Sequence, residues 1–336
     1  MIQKAVEILS QGWNLTADQM QAVMEEIMIG RADTSLVVSF LTDLSKKGET
    51  IEELTAAVQV MRRHATKINT SQKIVLDTCG TGGDRLGTFN ISTAVAFVAA
   101  GCGITVAKHG NRSVSSRCGS ADILEALGVN IHMPKERLEK CLDEIGIAFL
   151  FAQDLHPAMK HAMPARKQIG AKTMFNILGP LSNPAGATHQ LIGVYNGSWT
   201  QILAKVLSKL GSVHAMAVHG KDGLDEITTT TGTYVSEANQ GEISSYEIKP
   251  EDFGFKKAKL EELSGGDASV NAMILLDILG GKDGPRRDIV LFNAAAAIYV
   301  ADKAGSIKEA VSLAKDSIDS KKALEKLNLL KEYSCS

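Results

Sequence analysis

Residues 77–93 gather groups that bind anions without themselves reacting: Asp77-Thr78-Cys79-Gly80-Thr81-Gly82-Gly83-Asp84, then Thr88 and Asn90-Ile91-Ser92-Thr93. The apolar run Ile74–Leu76 before them reads as a buried strand, and Ala94–Ala100 after them as a buried helix. Gly80, Gly82 and Gly83 let the backbone take left-handed angles and let an anion reach bare N–H groups. Asn90 suits the N-cap of the helix, whose positive end then faces the same loop. Strand, glycine loop and helix N-terminus together form an anion cradle. The loop is not a dinucleotide fingerprint, because Arg85 stands where the third glycine belongs. Gly82 and Gly87 have the Walker spacing, but Thr88 stands where that motif needs lysine. Asp84 is out of place beside an anion alone; it makes sense where a sugar hydroxyl or a metal-bound water is bound as well.

A second group is Lys108-His109-Gly110-Asn111-Arg112-Ser113-Val114-Ser115-Ser116-Arg117-Cys118-Gly119-Ser120. Lysine and arginine bring charge, hydroxyls and N–H groups bring direction, and the combination suits a polyanion. Ser120 is expected to cap the helix that follows, bringing a second helix N-terminus to the site. Further on, the stretch Asp154-Leu-His156-Pro157-Ala-Met-Lys160-His161-Ala-Met-Pro164-Ala-Arg166-Lys167 offers two histidines and a basic cluster. His156 and His161, taken alone, read more readily as turn or helix residues than as catalysts. Arg166 is the sharper candidate, since one arginine at a domain junction can grip a substrate carboxylate bidentately. Finally, His219-Gly220-Lys221-Asp222-Gly223-Leu224-Asp225-Glu226 ends in adjacent carboxylates. At a strand end both can converge, and hard oxygen ligands suit Mg²⁺, which takes few protein ligands plus waters and phosphates. An exposed acidic turn would carry the same pair.

These groups need a scaffold, and the chain has enough apolar matter to build one. Its 336 residues suggest roughly two domains. Hydrophobic residues make up 44% and charged ones 22%, the balance of an ordinary globular chain. A net charge of −2 argues against broad nucleic-acid or membrane-surface binding, so any cationic site is local. Five cysteines in no metal-ligand spacing fit a reducing compartment. With neither a signal-like apolar region at Met1 nor a run of membrane-span length, the expected location is the cytoplasm.

Residues 1–66 read as four helices, with capping boxes at Thr16–Gln19 and Thr50–Glu53. Such a bundle is marginal alone, so its apolar faces read as a partner or subunit surface. From residue 73 the period changes. Short apolar runs at Ile104–Ala107, Val129–Ile131, Ile147–Phe151, Leu191–Tyr195 and Val213–Val218 are mostly separated by helical patterns. This alternation predicts an α/β fold: a mostly parallel sheet flanked by helices, with a smaller all-helical N-terminal domain. Ligands in such sheets sit at the carboxyl ends of the strands. The helical domain is expected at 1–66, joined by a returning segment at about 161–185 whose helix, from Thr173, is stopped by Gly179-Pro180. The α/β domain takes 73–160 and 186–336. Helices are expected at Ala268–Leu279, Ile289–Val300, Ile307–Ile318 and Leu324–Tyr333.

The ordered set Asp77-Thr-x-Gly80-Thr-Gly-Gly-Asp84, Asn90-Ile-Ser-Thr93, Lys108-His-Gly-Asn-Arg112, Gly119-Ser-Ala-Asp122, Gly179-Pro-Leu-x-Asn-Pro-Ala185 and Asp225-Glu-Ile227 resembles the anthranilate phosphoribosyltransferases over nearly the whole chain. It departs at Ser113 and Cys118, where alanine and serine are more usual, and both exchanges are small. The resemblance implies 5-phosphoribosyl-1-pyrophosphate (PRPP) and anthranilate as substrates, in tryptophan synthesis. It assigns PRPP to Gly80, Gly83, Asp84, Thr88, Asn90, Ile91, Ser92 and Thr93, to Lys108 through Ser116, and to Ser120. Two Mg²⁺ ions go to Ser92, Asp225 and Glu226. Anthranilate goes to Asn111 and Arg166, with His109 and His156 lining its route. Lys108, His109 and Arg166 stand at the catalytic centre, and a homodimer forms through the helical domain.

The chemistry read from the residues agrees with that assignment. Breaking a C1–pyrophosphate bond builds positive charge on the ribose and negative charge on the leaving group. The aniline nitrogen is already a usable nucleophile, so electrostatic preorganisation and positioning suffice. A pyrimidine nucleoside phosphorylase, which that family resembles in fold, is a second reading, although it does not need the carboxylate pair. A non-enzymatic nucleic-acid-binding relative is a third, although the net charge of −2 offers no basic stripe.

Overall fold

The structure, a computed structural model, describes residues 1–113 and 118–335; the expected contacts of Val114, Ser115 and Ser116 lie outside them. The chain opens with α1 (Ile2–Ser10), α2 (Ala17–Met28), α3 (Thr34–Lys47) and α4 (Ile51–His64). Both expected capping boxes form, with the Thr16 and Thr50 hydroxyls accepting the N–H groups of Gln19 and Glu53. Glu53 is fully buried: it accepts from Leu15 and Thr50 N–H and pairs with Lys47 at 2.8 Å.

The sheet has seven strands: β1 (Val75–Gly80), β2 (Thr105–Gly110), β3 (Ile147–Phe151), β4 (His189–Gly193), β5 (His214–Gly220), β6 (Thr233–Asn239) and β7 (Glu242–Ile248). Their order is β3-β2-β1-β4-β5-β6-β7. Strands β1 to β5 run parallel, and β6 and β7 are antiparallel. The chain moves outward from β1 through β2 to β3, then returns to lay β4 on the other side of β1. That reversal is a topological switch point, where the loops leaving β1 and β4 diverge and leave room for a ligand. Gly80 pairs with Gly193 across it.

Helix α5 (Ile91–Gly101) follows the glycine loop and α6 (Ser120–Ala126) follows β2. α7 (Lys135–Lys140) continues into a π-turn ended by Gly146 in the left-handed region. α8 (Ala152–Leu155), α9 (Met163–Ile169) and α10 (Met174–Leu181) carry the chain from β3 back to the N-terminal helices, where α9 meets α3 and α10 meets α4. α11 (Trp199–Lys209) packs on α4 and on β5 and β6. Phe40, Leu44, Val58, Phe175, Leu178, Ile192 and Ala217 thus share one apolar core, which welds the helical region to one face of the sheet. The other face carries α5, α12 (Ala268–Leu279), α13 (Pro285–Val300), α14 (Ile307–Asp319) and α15 (Lys322–Cys335). Among the described residues, no helix is long and apolar enough to cross a membrane.

Four local expectations are corrected. Val129–Ile131 forms no strand, and its buried side chains fill space beneath α6 and α7 as coil. The helix from Met174 does not stop at Gly179 but includes Pro180 and ends at Leu181. Gly119, not Ser120, is the N-cap of α6; its N–H is taken by Asp122, while Ser120 turns its hydroxyl to the Asn111 carbonyl. Gly80 is not left-handed: it ends β1, and only Gly82, Gly83 and Gly87 of the loop glycines have positive φ.

Candidate active site

The glycine loop is fastened on three sides. Thr81 N–H donates to the Gly193 carbonyl at 2.9 Å, and the Thr81 hydroxyl accepts Tyr195 N–H at 3.1 Å. Asp84 accepts the Leu86 N–H, closing an Asx turn around Arg85 at φ +62°. Thr88 is bridged to Ser264, and Phe89 N–H donates to Leu263, which ties the loop to the segment before α12. Asn90 caps α5 as expected: its carboxamide oxygen accepts Thr93 N–H at 3.1 Å and the Thr93 hydroxyl at 2.6 Å. Ile91 is buried behind that cap, so its contribution to a ligand is through its backbone.

Lys108 is buried and crosses from β2 to the N-terminus of α5. Its ammonium donates to Thr78 O at 2.6 Å and Ser92 Oγ at 3.2 Å, and it faces the Glu226 carboxylate. Burial pulls its pKa down, while Asp77, Cys79 and Glu226 favour its charge. Asp77 is wholly buried beneath it. Oδ1 accepts His109 N–H at 3.1 Å and Oδ2 has no hydrogen-bond partner, so burial pushes its carboxyl up to about 6.

The carboxylates after β5 enter from the opposite strand. Asp225 and Glu226 are half-buried, each still touching solvent. Burial drives both pKa values upward, and neighbouring carboxylates add to it: Asp84 for Asp225, and Asp225 for Glu226. Gly82 N–H supports the Asp225 carboxylate and Ser92 N–H the Glu226 carboxylate. Among the described residues no three His, Cys, Asp or Glu side chains form a closed metal cage. Crowded, open, like-charged carboxylates beside a serine hydroxyl instead fit Mg²⁺, which keeps waters and borrows ligand phosphates.

Two residues that were not anticipated make this approach feasible. A Cβ on Gly193 would overlap the Asp225 carbonyl, so only glycine lets the carboxylate loop come this close to β4. Asn293, the lone polar residue in the apolar centre of α13, accepts Ile227 N–H at 2.9 Å and donates to Ile227 O at 2.7 Å. Its isolation among buried apolar neighbours was a readable signal; Gly193 carried none.

The remaining candidates divide. His109 and His156 are buried with their Nε2 atoms 3.2 Å apart. Burial holds His109 well below the usual imidazole range, with His156 and Lys108 adding to the effect, and takes His156 to about 4. Both are therefore neutral near pH 7, one donating to the other. Gly110 leaves no room for a side chain between Ser120 and Phe149. Asn111 is exposed and accepts from Gln153 at 3.1 Å. Arg112 is turned aside, bound to Asp122 at 3.0 Å and to Glu125 and stacked over Phe151. Ser113 N–H donates to Asp122. Arg166, half-buried on α9, lies over the Phe175 ring at 5.7 Å, and among the described residues no carboxylate pairs with it. His161 packs against Gly30 of the helical region, away from the other candidates.

A switch-point anion cradle with converging carboxylates and a helical cap defines the class. Residues 72–324 match the family described as glycosyl transferase family, a/b domain, and residues 3–65 match that family's helical bundle domain. The chain belongs to this glycosyl transferase family. Anthranilate phosphoribosyltransferase of Syntrophobacter fumaroxidans is 52% identical over 99% of this chain and 99% of its own. The crystal structure of anthranilate phosphoribosyltransferase from Thermus thermophilus superposes with a TM-score of 0.94 at 40% identity, covering 99% of each chain. That of Saccharomyces cerevisiae, in complex with PRPP and Mg, gives a TM-score of 0.91 at 27% identity over 99% of this chain and 98% of that one. Within the family, the chain is thus a member of the anthranilate phosphoribosyltransferases.

Proposed function

We propose that the strand ends carrying Gly80–Asp84, Asn90–Thr93 and Lys108–Asn111 hold PRPP, and that Arg166 faces it from the helical side to hold anthranilate. The relatives are named anthranilate phosphoribosyltransferase, and the reaction is transfer of the 5-phosphoribosyl group from PRPP to the amine of anthranilate, giving N-(5-phosphoribosyl)anthranilate and pyrophosphate in tryptophan biosynthesis. The observation that carries the site assignment is the convergence of Asp84, Asp225 and Glu226 with Lys108 and the N–H groups of Gly82 and Ser92.

Two Mg²⁺ ions are assigned to Ser92, Asp225 and Glu226. When bound, Mg²⁺ offsets the charge of the departing pyrophosphate. The chain's own groups do the rest. Loop N–H groups and the α5 N-terminus stabilise the growing negative charge without rearranging. Lys108 keeps Ser92 and the Thr78 carbonyl in register. Neutral His109 and His156 line the acceptor's route without adding a cation that would repel the ribose as it becomes positive. Arg166 orients the acceptor through its carboxylate, so that its amine meets C1. Residues 1–66 with about 161–185 act as a helical domain, and 73–160 with 186–336 as the α/β domain; the enzyme works in the cytoplasm as a homodimer through the helical domain.

The test is loss of anthranilate fluorescence with purified protein and PRPP, with and without Mg²⁺. Mg²⁺-dependent conversion is expected. Phosphate-dependent cleavage of a pyrimidine nucleoside without anthranilate turnover would favour the phosphorylase reading instead.

A further inference from the structure

The link between α9 and α10 carries a second cation that the site assignment leaves unused. Lys172 follows Gly170, the left-handed cap of the helix bearing Arg166, and precedes Thr173 at the start of α10. Its stem is exposed, and among the described residues it forms no ion pair. Nevertheless its ammonium is held at two points. It donates to the Gly83 carbonyl at 2.9 Å and sits 3.3 Å from the centroid of the Tyr195 ring. Tyr195 is itself bound to the glycine loop through its N–H and the Thr81 hydroxyl. The ring of contacts is closed: Thr81 to Tyr195, Tyr195 to Lys172, Lys172 to Gly83. It spans the switch point and ties both of its loops to the acceptor-side link.

Gly83 is where such a tie has most effect. At φ +82° it is a flanking hinge of the Gly83–Asp84 peptide, and glycine lets that peptide rotate between alternatives at little cost. Because a trans peptide points its C=O and N–H in opposite directions, anchoring the Gly83 carbonyl on Lys172 also fixes where the Asp84 N–H points. Burial and the charge of Arg85 work against the Lys172 ammonium, and the carboxylates of Asp225 and Asp84 attract it.

We infer that Lys172 is a positioning residue for the donor: it selects one orientation of the Gly83–Asp84 peptide and couples the acceptor-side helix α9 to the PRPP loop. This rests on the assignment of PRPP to the glycine loop. An exposed lysine at the surface needs neither contact, since a hydrated ammonium loses little by staying in water. Being held by both a carbonyl and an aromatic face is what a fastening requires.

The test uses Lys172→Met, which keeps the stem and removes the charge, and Lys172→Arg, which keeps a cation able to donate and to stack. PRPP binding with Mg²⁺ is measured by calorimetry, and steady-state constants for each substrate are measured separately. Lys172→Met should weaken PRPP binding and raise its KM by about three- to thirtyfold, from below to just inside the range of a charged hydrogen bond because one face of the ammonium is in solvent. Its melting temperature should be unchanged, and Lys172→Arg should bind PRPP within about twofold of the parent. Parent-like PRPP affinity in Lys172→Met overturns the inference, and so does a Lys172→Arg loss as large as that of Lys172→Met. If the unmodified protein itself binds no PRPP, it is the loop assignment that fails.

Discussion

Replacing Arg166 by alanine tests whether acceptor recognition is separate from the donor site. The guanidinium is half-buried, stacked over Phe175 at 5.7 Å, and its one described side-chain hydrogen bond is to the Met163 sulfur at 3.9 Å. Burial pulls its pKa down from the usual arginine range, a sign of a cation that lacks a counter-charge in the free protein. A carboxylate arriving there gains a charge-assisted pair worth roughly 1.5–3 kcal/mol, and each 1.4 kcal/mol is about tenfold. The group still touches water, so the lower half of that range applies, and the Michaelis constant for anthranilate should rise about ten- to fiftyfold. Turnover at saturating anthranilate should fall less, and the constant for PRPP should hardly move. Arg166→Lys keeps the charge but not the planar fork, and should recover only part of the loss. The assay is steady-state kinetics with each substrate varied in turn. A rise in the PRPP constant without one for anthranilate would assign Arg166 to the phosphates and refute the argument.

Three other outcomes follow from the same geometry. Asp225→Asn with Glu226→Gln should lower turnover about a hundredfold or more while raising the melting temperature without metal, because three crowded carboxylates repel one another; unchanged activity at limiting Mg²⁺ would count against the metal assignment. Gly82→Val places a β-branched side chain at φ +65° on a side with open space, where the anion is expected; PRPP affinity by calorimetry should drop at least about tenfold, on the scale of a lost charged hydrogen bond, and undiminished affinity would refute the cradle. His214 is buried between Glu237 Oε1 at 2.8 Å and Asp302 Oδ1 at 2.9 Å, with His189, Tyr246 and Tyr299 on the same carboxylates. Burial opposes its charge, but the two acidic partners outweigh it and raise its pKa above 6.5. A raised imidazole pKa stabilises the fold fully below about pH 6.5 and progressively less as pH rises through the folded value. The melting temperature should therefore fall above neutrality by about 1–2 °C per kcal/mol lost for a chain of 336 residues, and His214→Gln should flatten that profile.

What the sequence revealed and what it hid follow from the range of the forces involved. Helix caps and the glycine loop rest on residues close in the chain, so Thr16, Thr50 and Asn90 could be read directly, and each of the strands β1 to β5 showed as its own apolar run although their pairing is long-range. The edge pair β6–β7 could not, because Glu242–Ile248 is mostly polar and solvent-facing and shows no apolar alternation. Val129–Ile131 misled for the opposite reason: a buried apolar triplet looks like a strand whether or not a neighbouring strand exists to bond it. Within the site, residue types pointed to Asp225 and Glu226, but their approach depends on Gly193, which is decided by β4 lying beside β1. Arg112, read as a phosphate ligand, is bound to Asp122 and Glu125 across the start of α6, a pairing set by how the β2–α6 loop folds back.

The two ends of the central strands show how stability and function are divided. At the amino ends of β4 and β5, His189 and His214 meet Asp302 and Glu237, and the two tyrosine hydroxyls meet Glu237 as well, so every carboxylate has partners. At the carboxyl ends, burial and like charge push Asp225 and Glu226 toward protonation, and on α9 among the described residues no carboxylate pairs with Arg166. A fold optimised only for stability would pair both ends, because an uncompensated charge removed from water costs several kcal/mol. Under the proposed assignment of the site, a metal-bound pyrophosphate and a carboxylate-bearing acceptor would supply that compensation. Cations would satisfy Asp225 and Glu226, and an aromatic carboxylate would satisfy Arg166. At the amino ends Asp302, shared by His189 of β4 and His214 of β5, ties those strands together away from the proposed ligands.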